Sequence, residues 1–254
     1  MALTVYGDFF CLSCYLASQR VDALNRAGVD VEWRAIDHAP RLSVTAQPID
    51  PTGFFDQLTM TRPHRLPGET LPDTPPSMRP RSVAAIAGFA EAVGAGVQHD
   101  VLRLLFAAYW QRGEDIGNPE VLRTLLAGPI RRGHSTADPL RESGYCVSMS
   151  GAPVTTGAYR RIRGWVESWH DLGAPPPPVV VEADGAISDG MSALARLGAL
   201  AGELELGEGP GGTRHEHPGR TEAGSRPSPF WVSEVGGRWA QSWMAQPAAH
   251  VRAT

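Results

Sequence analysis

Tyr6-Gly7-Asp8-Phe9-Phe10-Cys11-Leu12-Ser13-Cys14-Tyr15-Leu16-Ala17 places a Cys-x-x-Cys pair at a change of hydrophobic period. Upstream, residues 2–7 form a short apolar run containing Leu3, Val5 and Tyr6, which reads as a strand. Downstream, Cys14, Ala17, Val21 and Leu24 recur at spacings of three and four, so a helix is expected over about residues 11–27. Gly28 then stands at C′, where a left-handed residue closes a helix. Val29, Val31, Trp33 and Ala35 alternate with Asp30, Glu32 and Arg34, which gives a second strand. The chain thus opens β–α–β, with both cysteines at the strand-to-helix junction.

That placement suits thiol–disulfide exchange. The spacing puts both sulfurs over the first helical turn, within reach of one disulfide. The free N–H groups and partial positive charge of a helix N-terminus favour a thiolate at Cys11. Cys14, one turn further in, is placed to attack a mixed disulfide formed at Cys11 and release the product. Cys11 is therefore expected to be the nucleophile and Cys14 the resolving thiol. Two plainer readings compete. The pair could be ordinary core cysteines, or half of a zinc site. The zinc reading needs further ligands, and the local candidates, His38, His215 and His217, have no sequence link to Cys11. No metal and no cofactor are expected.

Further along, residues 40–80 are rich in proline, threonine and glycine and read mostly as loop. Helical patterns follow between 82 and 126: one from Ala84 to Val93, one from Asp100 to Gln111 with Leu102, Leu105, Phe106 and Tyr109 on its apolar side, and one opening at Asn118-Pro119. Residues 156–170 are helical again, with Tyr159, Ile162, Trp165 and Val166 on one face. Pro175-Pro176-Pro177-Pro178 then leads into Val179-Val180-Val181, a buried strand with a constrained entry. Ala183-Asp184-Gly185 is a turn, residues 186–188 a partner strand, and Met191 to Ala201 a closing helix. Beyond residue 202 the composition shifts to Gly, Pro, Glu and Arg, which predicts a disordered tail over 203–254. The tail's Phe230-Trp231 and the pair Trp239 and Trp243 are unusual for such a segment and suggest docking on the protein's own surface or a partner subunit, with a membrane interface the weakest option.

Taken together, residues 6–17, the helical stretch from Leu104 to Leu122 and the proline-led strand resemble the DsbA family, in particular its FrnE-like branch, over about residues 2–202. The resemblance implies an α/β thioredoxin-like fold interrupted by an inserted helical domain. The thioredoxin-like part is then residues 1–40 and 154–202, with loop and inserted helices over 41–153 and the tail beyond. It also implies a cis-proline facing the two sulfurs, for which Pro177 and Pro178 both qualify, since a cis bond before proline costs only about 0.5–1 kcal/mol. Pro175 and Pro176 remain open to an ordinary trans reading. The chain departs from the family at Leu12-Ser13, where Pro-Trp or Pro-His is usual. Losing the histidine removes a positive neighbour, so Cys11 should be less acidic and less oxidising than in a periplasmic oxidant. Ser13 is placed to donate a hydrogen bond to the thiolate instead. Asp8 either relays protons from Cys14 or simply ends the strand.

Composition narrows the partners. The net charge is -4 and all 23 basic residues are scattered arginines, so no nucleic-acid surface is expected. No apolar run reaches the roughly 18–20 residues that span a bilayer. The first residues read as a strand rather than a signal peptide, so the expected location is the cytoplasm. Substrates are expected to be proteins or small thiols and disulfides; oligomeric state leaves no mark in the sequence. One rival is a kappa-type glutathione transferase or 2-hydroxychromene-2-carboxylate isomerase, whose similar segment carries Ser at the place of Cys11 and needs no resolving thiol. Another is a non-catalytic thioredoxin-fold binding module. Cys146 is expected to be a small buried apolar residue.

Overall fold

β1 (Leu3–Gly7) sits inside a four-stranded sheet of order β2-β1-β5-β6. It pairs in parallel with β2 (Val31–Ala35), Gly7 opposite Ala35, and antiparallel with β5 (Val179–Val181), whose other side carries β6 (Ile187–Asp189). The computed structural model describes residues 3–40, 45–133 and 146–207. The expectations for the tail, including Trp231, Trp239, Trp243, His215 and His217, lie outside these residues.

The parallel pair needs a crossover, and α1 (Leu12–Arg26) supplies it. It ends as expected: Gly28 is left-handed at φ 83°, its N–H bonds the Asn25 carbonyl and the Val29 N–H that of Leu24. The burial of α1 is wider than one stripe. Leu12, Tyr15, Leu16 and Arg20 are buried beside Cys14, Ala17, Val21 and Leu24, because helices cover it on two sides. α4 (Gln98–Trp110) packs on one side and α7 (Gly190–Gly207) on another.

The helical region is built on α3 (Val83–Ala95), which packs against α4, α5 (Pro119–Gly133) and α6 (Thr156–Asp171). Asn118 caps α5 by accepting from the Glu120 N–H at 2.9 Å, with Pro119 at its first position. Buried Glu91 on α3 accepts from the Val154 and Thr155 N–H groups at 2.7 Å, which ties the start of α6 to this layer. α7 continues to Gly207, so helical structure runs past residue 202, where the tail was expected to begin. Among the described residues no helix is long and apolar enough to cross a membrane.

Residues 40–80 are more ordered than a loop. They contain α2 (Pro51–Thr61), a 3-10 turn (Arg62–His64) and a two-stranded ribbon of β3 (Gln47–Pro48) and β4 (Met78–Arg79). Asp50 caps α2 through the Thr52 and Gly53 N–H groups, and Pro51 occupies the first turn, where a missing N–H costs nothing. A polar lock holds the segment to α1. Arg20, almost fully buried, forks onto the Glu69 carboxylate at 2.6 and 3.0 Å and donates to the Leu194 and His64 carbonyls. Buried charge is tolerated here because every guanidinium nitrogen has an acceptor.

Gly7 faces the Trp33 ring, and a Cβ there would lie 2.2 Å from Trp33 Cζ2. Gly7→Ala is expected to cost about 1–3 kcal/mol of stability through overpacking. A lower urea midpoint at unchanged slope would register it; an unaltered midpoint would show that Trp33 moves aside freely.

Candidate active site

The segment between β1 and α1 is pinned on both sides. Trp110 Nε1 donates to the Phe9 carbonyl at 2.9 Å, and Phe10 meets the Tyr109 ring edge-on at 4.6 Å between centroids. Phe9 packs against Phe89 and Phe106. These contacts fix Cys11 at the N-cap of α1, in extended conformation, its N–H bonded to the Asp8 carbonyl.

The two free thiols have different surroundings. Cys11 is partly exposed and Cys14 is buried. The Cys11 pKa is lowered to about 7: a hydrogen bond from the Cys14 thiol is the largest cause, burial opposes it, and Ser13 and the charge of His38 add to the lowering. The Ser13 hydroxyl lies 3.1 Å from Cys11 Sγ, and the Pro177 carbonyl is 3.7 Å from the same sulfur. Cys14 is pushed well above an ordinary thiol by burial, by its hydrogen bond to Cys11 and by the Cys11 charge. The peptide bond between Pro177 and Pro178 is cis, so Pro178 is the cis-proline and Pro177 offers the carbonyl.

Asp8 ends β1 with its side chain turned inward and nearly sealed from water. Its carboxylate accepts from the Phe10 N–H at 2.9 Å, Ser82 Oγ at 2.8 Å, the His38 N–H at 3.2 Å and His38 Nδ1 at 2.7 Å. Burial raises its pKa, but the His38 bond and charge and the Phe10 and Ser82 donors together outweigh burial and lower it. The effect on His38 is reciprocal: burial lowers its pKa, while the bond to Asp8 and the Asp8 and Cys11 charges raise it overall. Among the described contacts, the Asp8 carboxylate does not bond the Cys14 side chain; it bears on that thiol as a nearby charge.

His38 is the residue the sequence did not place. It enters above only as a possible metal ligand, yet it follows β2 as Asp8 follows β1. Two parallel strands in register end at the same edge of the sheet, and that relation is the signal that could have joined them. From beyond the end of the neighbouring strand, its protonated form lowers the Cys11 pKa, as a positive residue inside the dipeptide would. Among the described residues no three His, Cys, Asp or Glu side chains gather as a metal-binding group. Cys146 is buried, as expected, and its pKa is raised to about 12 by burial.

Iodoacetamide is expected to alkylate Cys11 first, with a rate midpoint near pH 7. Ser13→Ala should move the midpoint up more than His38→Ala, because the hydroxyl contributes more than the imidazolium. Faster reaction at Cys14 would reverse the assignment.

The family model of the DSBA-like thioredoxin domain matches residues 2–128. The fold is similar to that of the cytosolic disulfide reductase DsbM from Pseudomonas aeruginosa, solved with GSH. That likeness has TM-score 0.55 and 19% identity, over 82% of this chain and 98% of DsbM. It is equally similar to a 2-hydroxychromene-2-carboxylate isomerase, with TM-score 0.55 and 19% identity over 82% of this chain and 97% of the isomerase. The probable DsbA oxidoreductase SCO1869 from Streptomyces coelicolor follows at TM-score 0.54 and 15% identity, over 85% and 94%. No curated protein sequence matches the chain.

Proposed function

Because the chain belongs to the DSBA-like thioredoxin domain family, we propose that it is a thiol–disulfide oxidoreductase acting through Cys11 and Cys14. The observation that carries the reading is the asymmetry of the two thiols, one partly exposed with a pKa of about 7 and one buried with a raised pKa. At neutral pH about half of Cys11 is thiolate, the form that attacks a disulfide. The attack forms a Cys11 mixed disulfide and releases one thiol. Consuming the Cys11 thiolate removes the negative charge that had held Cys14 protonated, so Cys14 becomes easier to ionise as its attack is needed. Cys14 then attacks the Cys11 sulfur, closing the Cys11/Cys14 disulfide and releasing the second thiol. The Pro177 carbonyl, 3.7 Å from Cys11 Sγ, is free to accept from the backbone of a bound peptide or thiol.

We take the reducing direction, in the cytoplasm. A nucleophile pKa near 7 matches thioredoxin, about 7, rather than the strong oxidant DsbA, about 3.5. A thiolate stabilised that little leaves the dithiol a ready electron donor. The role named for DsbM agrees with this direction. The isomerase reading gives no task to Cys14, whose thiol is the largest influence on Cys11. Roles for the residues follow: Ser13 and His38 tune the sulfur, Asp8 orients His38, and Pro177 and Pro178 form the substrate-facing loop. Equilibrating the protein with a glutathione buffer tests the direction. A potential near thioredoxin's, about −270 mV, supports a reductase; one near DsbA's, about −120 mV, makes it an oxidant.

A further inference from the structure

Residues 78–82 are tied to the segment that carries the cysteine pair. The Met78 carbonyl accepts from Tyr109 Oη at 3.2 Å, and Tyr109 is the ring that packs on Phe10, next to Cys11. At the other end Arg81 Nε reaches Asp37 at 3.4 Å and Ser82 bonds Asp8. Arg79 lies between these anchors, in electrostatic range of both His38 and Tyr109.

Among the described residues Arg79 makes no ion pair, and its Nε is buried without a hydrogen-bond partner. Of the carboxylates on this side, Asp8 is paired with His38 and Ser82 and Asp37 with Arg81, while Asp115 forms no ion pair with Arg79 and accepts from the Gly117 N–H at 3.0 Å. A partly desolvated guanidinium without a partner is unfavourable, and an incoming carboxylate restores what it lacks. Its planar fork of donors matches a carboxylate in shape as well as charge.

We infer that Arg79 is a specificity-determining residue that receives a carboxylate of a small disulfide or thiol substrate while Cys11 reacts with its sulfur. This rests on the oxidoreductase reading. In the step concerned, Cys11 thiolate attacks one sulfur of R–S–S–R, and the first R–S⁻ leaves and takes a proton from water. Cys14, as its thiolate, attacks the Cys11 sulfur and expels the second R–S⁻. The substrate disulfide gains two electrons and the enzyme dithiol loses them. No further reactant is needed for one turnover.

The test is the rate at which the reduced, full-length protein is oxidised by 3,3′-dithiodipropionate, 2-hydroxyethyl disulfide and cystamine. These probes share two-methylene arms and end in negative, neutral and positive groups; each rate is divided by that of dithiothreitol with the same probe. The wild type is expected to prefer the anionic over the neutral probe by roughly tenfold at low salt, less as salt screens the charges. Arg79→Gln should remove most of that preference, and Arg79→Lys should keep part of it. Thermal melts establish that the variants are folded. Should Arg79→Gln fail that check, the wild-type preference and its partial retention in Arg79→Lys decide the matter. A wild type that does not favour the anionic probe, or an Arg79→Gln protein that keeps the preference, overturns the inference and leaves the oxidoreductase reading standing. A reduced wild type inert to all three probes overturns both.

Discussion

Cys11→Ser is expected to reduce disulfide exchange to the uncatalysed background. A serine hydroxyl stays protonated at neutral pH, whereas about half of Cys11 is already thiolate there. Cys14→Ala should behave differently. Its first attack proceeds, but no second thiol releases the product, so a mixed disulfide at Cys11 accumulates and turnover stops. Because the Cys14 thiol is the largest influence lowering Cys11, the Cys11 alkylation midpoint in this variant should also rise from about 7 toward the ordinary 9.0. Intact-protein mass spectrometry after mixing with 2-hydroxyethyl disulfide reads the adduct directly. Full turnover without Cys14 would remove its resolving role and favour a single-thiol mechanism.

Asp8→Ala should have the largest effect on stability, about 2–4 kcal/mol, because it strips the acceptor from a buried pair and leaves the Ser82 hydroxyl and Phe10 N–H without it. The loss sits below the upper end for buried pairs because the His38 ring is 29% exposed and can turn to water. Against a total of about 5–15 kcal/mol that is a large share. The dependence on pH has two edges. The Asp8 pKa is lowered by folding, so its contribution is present above its unfolded pKa of about 3.9 and lost as pH falls through the folded value. The His38 pKa is raised, so its contribution is complete below about 6.5 and fades as pH rises through its folded pKa. The stability gap between wild type and Asp8→Ala should therefore be widest between about pH 4 and 6.5 and narrow on both sides. Urea titrations across that range measure it; a gap independent of pH would mean that the pair contributes only packing. The variant should also raise the Cys11 pKa, since His38 without Asp8 holds its proton less firmly.

The sequence revealed those parts of the fold whose signals are local. The β–α–β opening, its closing glycine, the cap at Asn118-Pro119 and the proline-led strand rest on neighbours a few residues apart, and each appears in the structure. α2 escaped although Asp50-Pro51 is the same kind of cap signal as Asn118-Pro119, because the surrounding prolines read as loop. The site was half legible. The two thiols and Ser13 lie within four residues, but the network around Asp8 does not: His38 and Ser82 reach Asp8 from 30 and 74 residues away. Spacing within one helix cannot report such contacts; they depend on which strands are neighbours, and that is decided by the whole sheet. Between Pro177 and Pro178 the choice depended on how β5 enters the sheet, again a long-range matter.

The place of β1 between β2 and β5 has a consequence for how the protein is made. The second neighbour of β1 is β5, and the Pro177 carbonyl beside Cys11 lies 166 residues after that cysteine. At a ribosomal rate of roughly 5–20 residues per second, about 8–33 s pass between synthesis of Cys11 and of its facing loop. During that interval one edge of β1 is unpaired, with both thiols already synthesised. An unpaired edge invites pairing with another chain, so a message truncated before β5 should yield an insoluble product.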